Sequence, residues 1–192
     1  MTGERPSLST EPIEESSVSD PAIEAVLTHL TEPRDGDTPV VADYDVVRKF
    51  GGENARAVIA RDADRWSLTV GDLRYLDIAG VLSTCDLVSE VCTDGFDEAR
   101  LSDVLTTTGF ATEAAAIRIR RADADALGPV RGSRQRIAGV RATCADIDVP
   151  GGTVRWCTTP QGLLALQDTA DMRIDLVALE RRVDPALFTA SG

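Results

Sequence analysis

The chain has 192 residues, 43% of them hydrophobic, and carries a formal charge of −12 with a pI near 4.5. That length suits one domain with a full core. So acidic a balance excludes a whole-surface nucleic-acid binder, and no apolar run approaches the roughly eighteen residues of a membrane-spanning helix.

Residues 1–19, MTGERPSLSTEPIEESSVS, hold too few apolar groups to offset the entropy of ordering and read as a flexible tether ahead of a single domain over 20–192. Asp20 then caps a short helix with Pro21 at its first position and Ile23, Val26, Leu27 and Leu30 on one face. From Pro39 the period changes to two. Val40, Ala42, Tyr44 and Val46 share a face, as do Trp66, Leu68 and Val70, while Leu73 and Tyr75 oppose Leu76 and Ile78. Turns at Gly51-Gly52, at Asp62-Ala63-Asp64 and at Gly71-Asp72 are too short for parallel crossovers, so the pattern predicts an antiparallel meander.

The middle of the chain, about 96–127, predicts two helices. DEARLSDVLTTTG places Leu101, Val104 and Leu105 at helical spacing and stops at Gly109, a natural left-handed cap; TEAAAIRIRRADADAL starts from Thr112 and is rich in alanine. Alternation resumes beyond GPVRGS, with Val140, Ala142 and Cys144 on one face, then Val154 and Trp156, Leu164 and Leu166, and Met172, Ile174 and Leu176. TVRWCTTPQGLLALQ, 153–167, reads as a hairpin turning at Thr159-Pro160-Gln161-Gly162. The expected order is one helix, four or five strands, two helices and four strands, an α+β chain.

Four cysteines stand at positions 85, 92, 144 and 157. Their spacing matches no zinc site, which brings ligands in tighter pairs. Each pair brackets a turn instead, CDLVSEVC and CADIDVPGGTVRWC, and opposed positions on antiparallel strands lie within disulfide reach. This predicts Cys85 with Cys92 and Cys144 with Cys157, bonds that persist outside the cytosol. The alternative is four buried thiols in a cytosolic protein. Lys49 is the one lysine among 20 basic residues, which points to a GC-rich genome, actinobacterial or haloarchaeal.

The final third, IAGVRATCADIDVPGGTVRWCTTPQGLLALQDTADMRIDLVALERRVDPALF, together with YLDIAGVLSTCDLVSEVC, resembles exported actinobacterial lipoproteins. The wider group is that of the LolA and LppX/LprG-like carriers, and the element order is compatible with it over roughly residues 38–188. The resemblance implies a curved, half-barrel-like antiparallel sheet with helices over its concave side. It also implies an extracytoplasmic protein, anchored to the outer membrane face through a lipidated cysteine that this chain does not include. It carries over no catalytic residue.

No phosphate-loop, dinucleotide, zinc-protease or nucleophile-elbow motif occurs. His29, the lone histidine, sits near Glu32 and Asp35 and reads as an exposed helical residue rather than part of a triad. No enzyme, cofactor or metal is expected. Seven arginines against two aspartates crowd residues 117–141; Arg118, Arg120, Arg121, Arg131, Arg134 and Arg136 read as an anion-facing rim or as a solvated face paired with the acidic majority.

These readings combine into an envelope protein that binds a lipid or other apolar ligand between helices and sheet. The lining would come from Leu101, Val104, Leu105 and Ile117 of the helices and from Trp66, Leu68, Tyr75, Val140 and Trp156 of the strands. An ordinary closed core would use the same residues. The competing function is an interaction module for another envelope protein, without internal ligand, and a contiguous apolar cavity of several hundred cubic ångströms separates the two.

Overall fold

A computed structural model describes residues 20–33, 38–52, 54–104 and 106–190; the tether at 1–19, Asp35 and Leu105 lie outside the described residues. Eleven strands form one open antiparallel sheet, curved like a half-barrel. They are β1 (Val40–Arg48), β2 (Ala55–Asp62), β3 (Arg65–Val70), β4 (Leu73–Ile78), β5 (Val81–Asp86), β6 (Val91–Asp94), β7 (Arg131–Ile137), β8 (Val140–Val149), β9 (Gly152–Thr158), β10 (Leu164–Asp168) and β11 (Met172–Glu180). Helices α1 (Pro21–Thr31) and α2 (Glu113–Ala124) and two 3-10 helices, Glu98–Val104 and Pro185–Phe188, are the other elements among the described residues.

The spatial order is β6-β5-β4-β3-β2-β1-β11-β10-β9-β8-β7. Each half is a meander, and the first and last strands join them at the centre, Val46 facing Ile174 and Tyr44 facing Leu176. The free edges are therefore mid-chain strands, and the segment linking β6 to β7 has to cross the whole sheet. Ten strand spacings of about 4.8 Å make that a path of roughly 48 Å along the sheet. The segment keeps to one face, where Phe110 meets the Tyr44 ring edge-on at 5.2 Å and the Ala111 carbonyl accepts from Leu164 N at 2.8 Å.

Alternation along the strands divides the faces. Ala42, Tyr44, Val46, Ile59, Leu68, Tyr75, Ile147, Trp156 and Ile174 follow one another through the register on the helix-covered side. Tyr44 donates from its buried hydroxyl to Leu164 O at 2.9 Å, and burial pushes its phenol far above the usual range, Arg61 offsetting only part of that. Helix α1 adds Ile23, Val26 and Leu27 to this core, each contributing roughly 1.5–3 kcal/mol by leaving water. The Asp20 carboxylate accepts from Ala22 N and from Val130 N, so the expected cap also ties α1 to the start of β7.

On the opposite side, β3 and β4 are covered by the C-terminal 3-10 helix. Arg74 is buried there, donating to the Ala186 and Thr189 carbonyls at 2.7 Å each, with desolvation lowering its pKa. Arg65 stacks on the Phe188 ring at 4.5 Å. This cover is why β4 is buried on both faces over Leu73–Leu76, as the opposed Leu73/Tyr75 and Leu76/Ile78 pattern requires.

Several expectations change. Residues 98–104 form a 3-10 helix rather than an α-helix, and Phe110 and Ala111 beyond it are fully buried. Gly109 lies outside the left-handed region and opens the next helix, accepting from Ala114 N, while Thr112 makes no side-chain cap. The halves contain six and five strands, not four or five and four. The unexpected β7, RGSRQRI, is exposed along almost its whole length, and an edge strand needs no buried alternation. His29 is half-buried, with Nδ1 3.2 Å from Thr158 O. The predicted turn beneath it holds, with Gly162 at φ +80° and no room for a side chain, since a Cβ would stand 2.7 Å from Pro33 Cβ.

Both disulfides form as the spacing predicts, between residues directly opposite in register with Cα atoms 4.0 Å apart. No described cysteine is free. Cys144 and Cys157 are fully buried on the side away from α2, with Gln135 Nε2 3.3 Å from both sulfurs. Serine at both 144 and 157 is expected to cost about 3 kcal/mol by the loop-entropy model, read by urea denaturation. A loss under about 1 kcal/mol would show that the bond does not constrain the unfolded chain.

Candidate functional site

Between α2 and the inner face of β8–β11 lies an open groove of about 770 Å³. Its floor is Val154, Trp156 and Met172, apolar by strand alternation, joined by Gln167, which the register places beside Trp156. Its wall is α2, whose buried stripe of Ala115, Ala116 and Ile119 faces inward and leaves Arg118, Arg121 and Ala122 along the groove. Arg118 and Arg121 are one turn apart and so project from the same side of the helix. Asp125 and Asp171 stand at the rim.

Arg118 is partly buried beside Gln167, its Nη1 3.4 Å from Oε1. Desolvation lowers its pKa; Asp171 counteracts this and Arg121 adds to it. Trp156 is 2% exposed, and its indole Nε1 has no hydrogen-bond partner among the described residues. Leaving such a donor unpaired costs on the order of 1–3 kcal/mol.

A second opening, about 480 Å³, lies over the ends of β2–β4. Trp66, Phe96 and Leu163 line it, together with the charged Arg61, Asp77 and Glu113. Trp66 and Phe96 lie 5.9 Å apart between ring centroids.

The nominated residues are therefore dispersed. Trp156 lines the first groove and Trp66 the second, while Leu68, Tyr75 and Leu101 are closed core. Ile117 is 51% exposed, because the stripe of α2 that packs inward runs through Ala115, Ala116 and Ile119. Val140 faces away from the helices: Trp156 pairs with Ala145, an odd number of residues along β8, which puts Val140 on the other side of the sheet. Val104 ends the first 3-10 helix.

The arginine rim divides in the same way. Arg118 and Arg121 line the groove, whereas Arg120 is exposed away from it. Arg131, Arg134 and Arg136 lie on β7, where Arg131 pairs with Asp148 at 2.7 Å and Arg136 donates to Gly139 O. The groove residues missed from the sequence, Gln167, Met172 and Ala122, come from separate elements and have no shared local signal. Among the described residues, no three His, Cys, Asp or Glu side chains are grouped to hold a metal, and no helix is long and apolar enough to cross a membrane.

No family model matches the chain, and no curated protein matches it. Among solved structures it is similar to MucB. The superposition on the MucA/MucB complex of Pseudomonas aeruginosa has a TM-score of 0.53 at 14% identity, covering 86% of this chain and 60% of that one. MucB in complex with MucA(peri) gives 0.51, also at 14%, over 86% of this chain and 57% of that chain. This chain thus spans under two thirds of MucB's length, and the likeness is one of fold. LprF from Mycobacterium bovis, 13% identical over 91% of this chain and 100% of its own, superposes at only 0.34. A LolA superfamily protein from Nitrosomonas europaea, 11% identical over 90% and 98%, reaches 0.37, and no argument rests on either.

The Arg131–Asp148 pair has a pH signature. Hydrogen bonds from Arg131 and then Thr153 pull the Asp148 carboxyl down to about 2. A depressed carboxylate stabilises the fold above its ordinary unfolded value, and that contribution disappears as the pH falls through about 2. Carboxylate NMR should show Asp148 titrating there, and Arg131→Gln should move it back toward the ordinary range. An unchanged titration in the variant would mean that Arg131 is not held at this site.

Proposed function

We propose that this is an extracytoplasmic, non-enzymatic binding protein that holds an apolar ligand in the groove between α2 and β8–β11. The observation that carries the reading is the groove itself, about 770 Å³ with an apolar floor of Val154, Trp156 and Met172, within the range of about 300–1,000 Å³ common to small-molecule sites. The two disulfides support the compartment, since such bonds persist in oxidising surroundings. Residues 20–192 serve as the binding domain and residues 1–19 as a tether to an anchor on the outer membrane face.

A second reading is favoured by the fold likeness to MucB, which was crystallised with MucA(peri): a module that binds another envelope protein. The two readings differ in what filling the groove does. Ala122→Trp places an indole in the opening with no change to the sheet. Binding of the neutral apolar dye N-phenyl-1-naphthylamine is expected to weaken at least tenfold in this variant while its melting temperature stays put. Dye binding that is absent from the parent protein, or indifferent to the substitution, would remove the apolar-ligand reading and leave the protein-binding one.

A further inference from the structure

The edge of the sheet at β7 is open to a further strand. Its seven residues, Arg131–Ile137, are exposed along almost their whole length and pair with β8 on one side only. The other side presents unpaired backbone N–H and C=O groups over roughly 23 Å, at about 3.3 Å per residue.

The side chains along this edge carry charge of one sign. Gly132, Arg134 and Arg136 share the helix-covered side, because Gly132 pairs with Ala145, which in turn pairs with Trp156. A Cβ at Gly132 would stand 2.9 Å from Ala22 Cβ of α1, which places the same side independently. Arg141 of β8 is directly opposite Arg136, and like charges so placed destabilise a strand pair. Residues 133–143 hold these three arginines and no aspartate or glutamate.

Elsewhere on the strands Arg56, Arg65, Arg155 and Arg173 each pair with an aspartate, and Arg131, on the other face of β7, pairs with Asp148. Among the described residues Arg134, Arg136 and Arg141 have no carboxylate within ion-pair distance, and Arg136 donates instead to Gly139 O at 2.6 Å. The acidic residues of α1, Glu24 in its first turn and Glu32 at its far end, do not pair with them. The hairpin therefore keeps a net positive face in a chain of charge −12.

A second copy of this chain does not fit the edge. Pairing β7 with β7 would set two arginine-bearing faces side by side, and the other free edge, β6, offers four residues against seven. An extended acidic segment meets both demands. Its backbone continues the ladder, and residues two apart fall on one face beside Arg134 and Arg136. The charge that bars self-pairing selects this partner.

We propose that β7 takes up an extended acidic peptide of another protein as an added strand, its carboxylates at alternate positions beside Arg134 and Arg136. The surface is separate from the groove, whose lining includes no residue of β7, and needs no ligand there.

Amide NMR of the whole chain reads the test. A blocked seven-residue peptide of alternating threonine and glutamate is titrated at low ionic strength, beside its glutamine counterpart and a glutamate form N-methylated along its backbone. The glutamate peptide is expected to shift the β7 amides and to bind about fivefold more tightly than the glutamine one, a preference that shrinks as salt rises. The N-methylated form, equally charged but without donors, should bind about fivefold more weakly than its parent. Arg134→Gln with Arg136→Gln, both at exposed positions, should remove the preference for glutamate and leave the melting temperature unchanged. Equal binding of the glutamate and glutamine peptides, or of neither, would overturn the acidic partner. Equal binding of the N-methylated form would overturn strand addition and leave a simple anion patch. Concentration-dependent shifts at β7 without any peptide would give the edge to a second copy instead.

Discussion

The pairing of the first strand with the last constrains everything else in this molecule. Eight register pairs join β1 to β11 across a single irregularity at Asp43/Tyr44, and this one contact converts two local meanders into an eleven-stranded sheet. Its consequence is geometric. With the first and last strands at the centre of the sheet, the two free edges belong to the middle of the sequence, and the link between them has only the faces of the sheet to run across. It takes the face that carries Tyr44, where Phe110 and Ala111 bury themselves against Tyr44 and Leu164.

The groove follows from that crossing. Helix α2 is too polar to be buried on more than one narrow stripe; its Ala115, Ala116 and Ile119 pack, while its arginines and Ile117 do not. Arg118 and Arg121 stay along the groove rather than in the sealed core, where a charge taken out of water is costly. The space beside α2 therefore stays open. Elsewhere the same face is sealed, with Leu68, Tyr75 and Leu101 at the heart of the core. An open groove and a closed core are both present, in different parts of one face.

The opposite face is organised by polar anchors. Arg74 fixes the C-terminal 3-10 helix by two carbonyls, and Asp146 and Asp148 hold Arg155 and Arg131. Several of these pairs are exposed, where an ion pair contributes about 0–1 kcal/mol, so their role is more to fix where arginines point than to stabilise. That is how a cluster read from sequence as one basic rim separates into a pair in the groove and a set along the β7 edge.

Local chemistry made much of this fold legible in the sequence. Asp20-Pro21 opens a helix because a carboxylate and a fixed φ suit its first turn, and two-residue alternation marks most strands because one face of each is buried. The cysteine pairings were readable because a turn between two alternating runs fixes the register opposite it. Strand β7 escaped because an almost fully exposed edge leaves no pattern, and the 3-10 helix escaped because Leu101 and Val104 stand three residues apart, a spacing that 3-10 and α-helices share. Which face Val140 and Trp156 occupy depends on cross-strand parity, and which arginines meet Trp156 depends on where the crossing helix lands. The sequence by itself determined most of the elements and the disulfides, set by contacts within about a dozen residues, and the acidic charge, set by composition. Only the tertiary structure decided the strand order and the groove, because both arise from β1 meeting β11, a pairing between residues more than a hundred positions apart that no local pattern encodes.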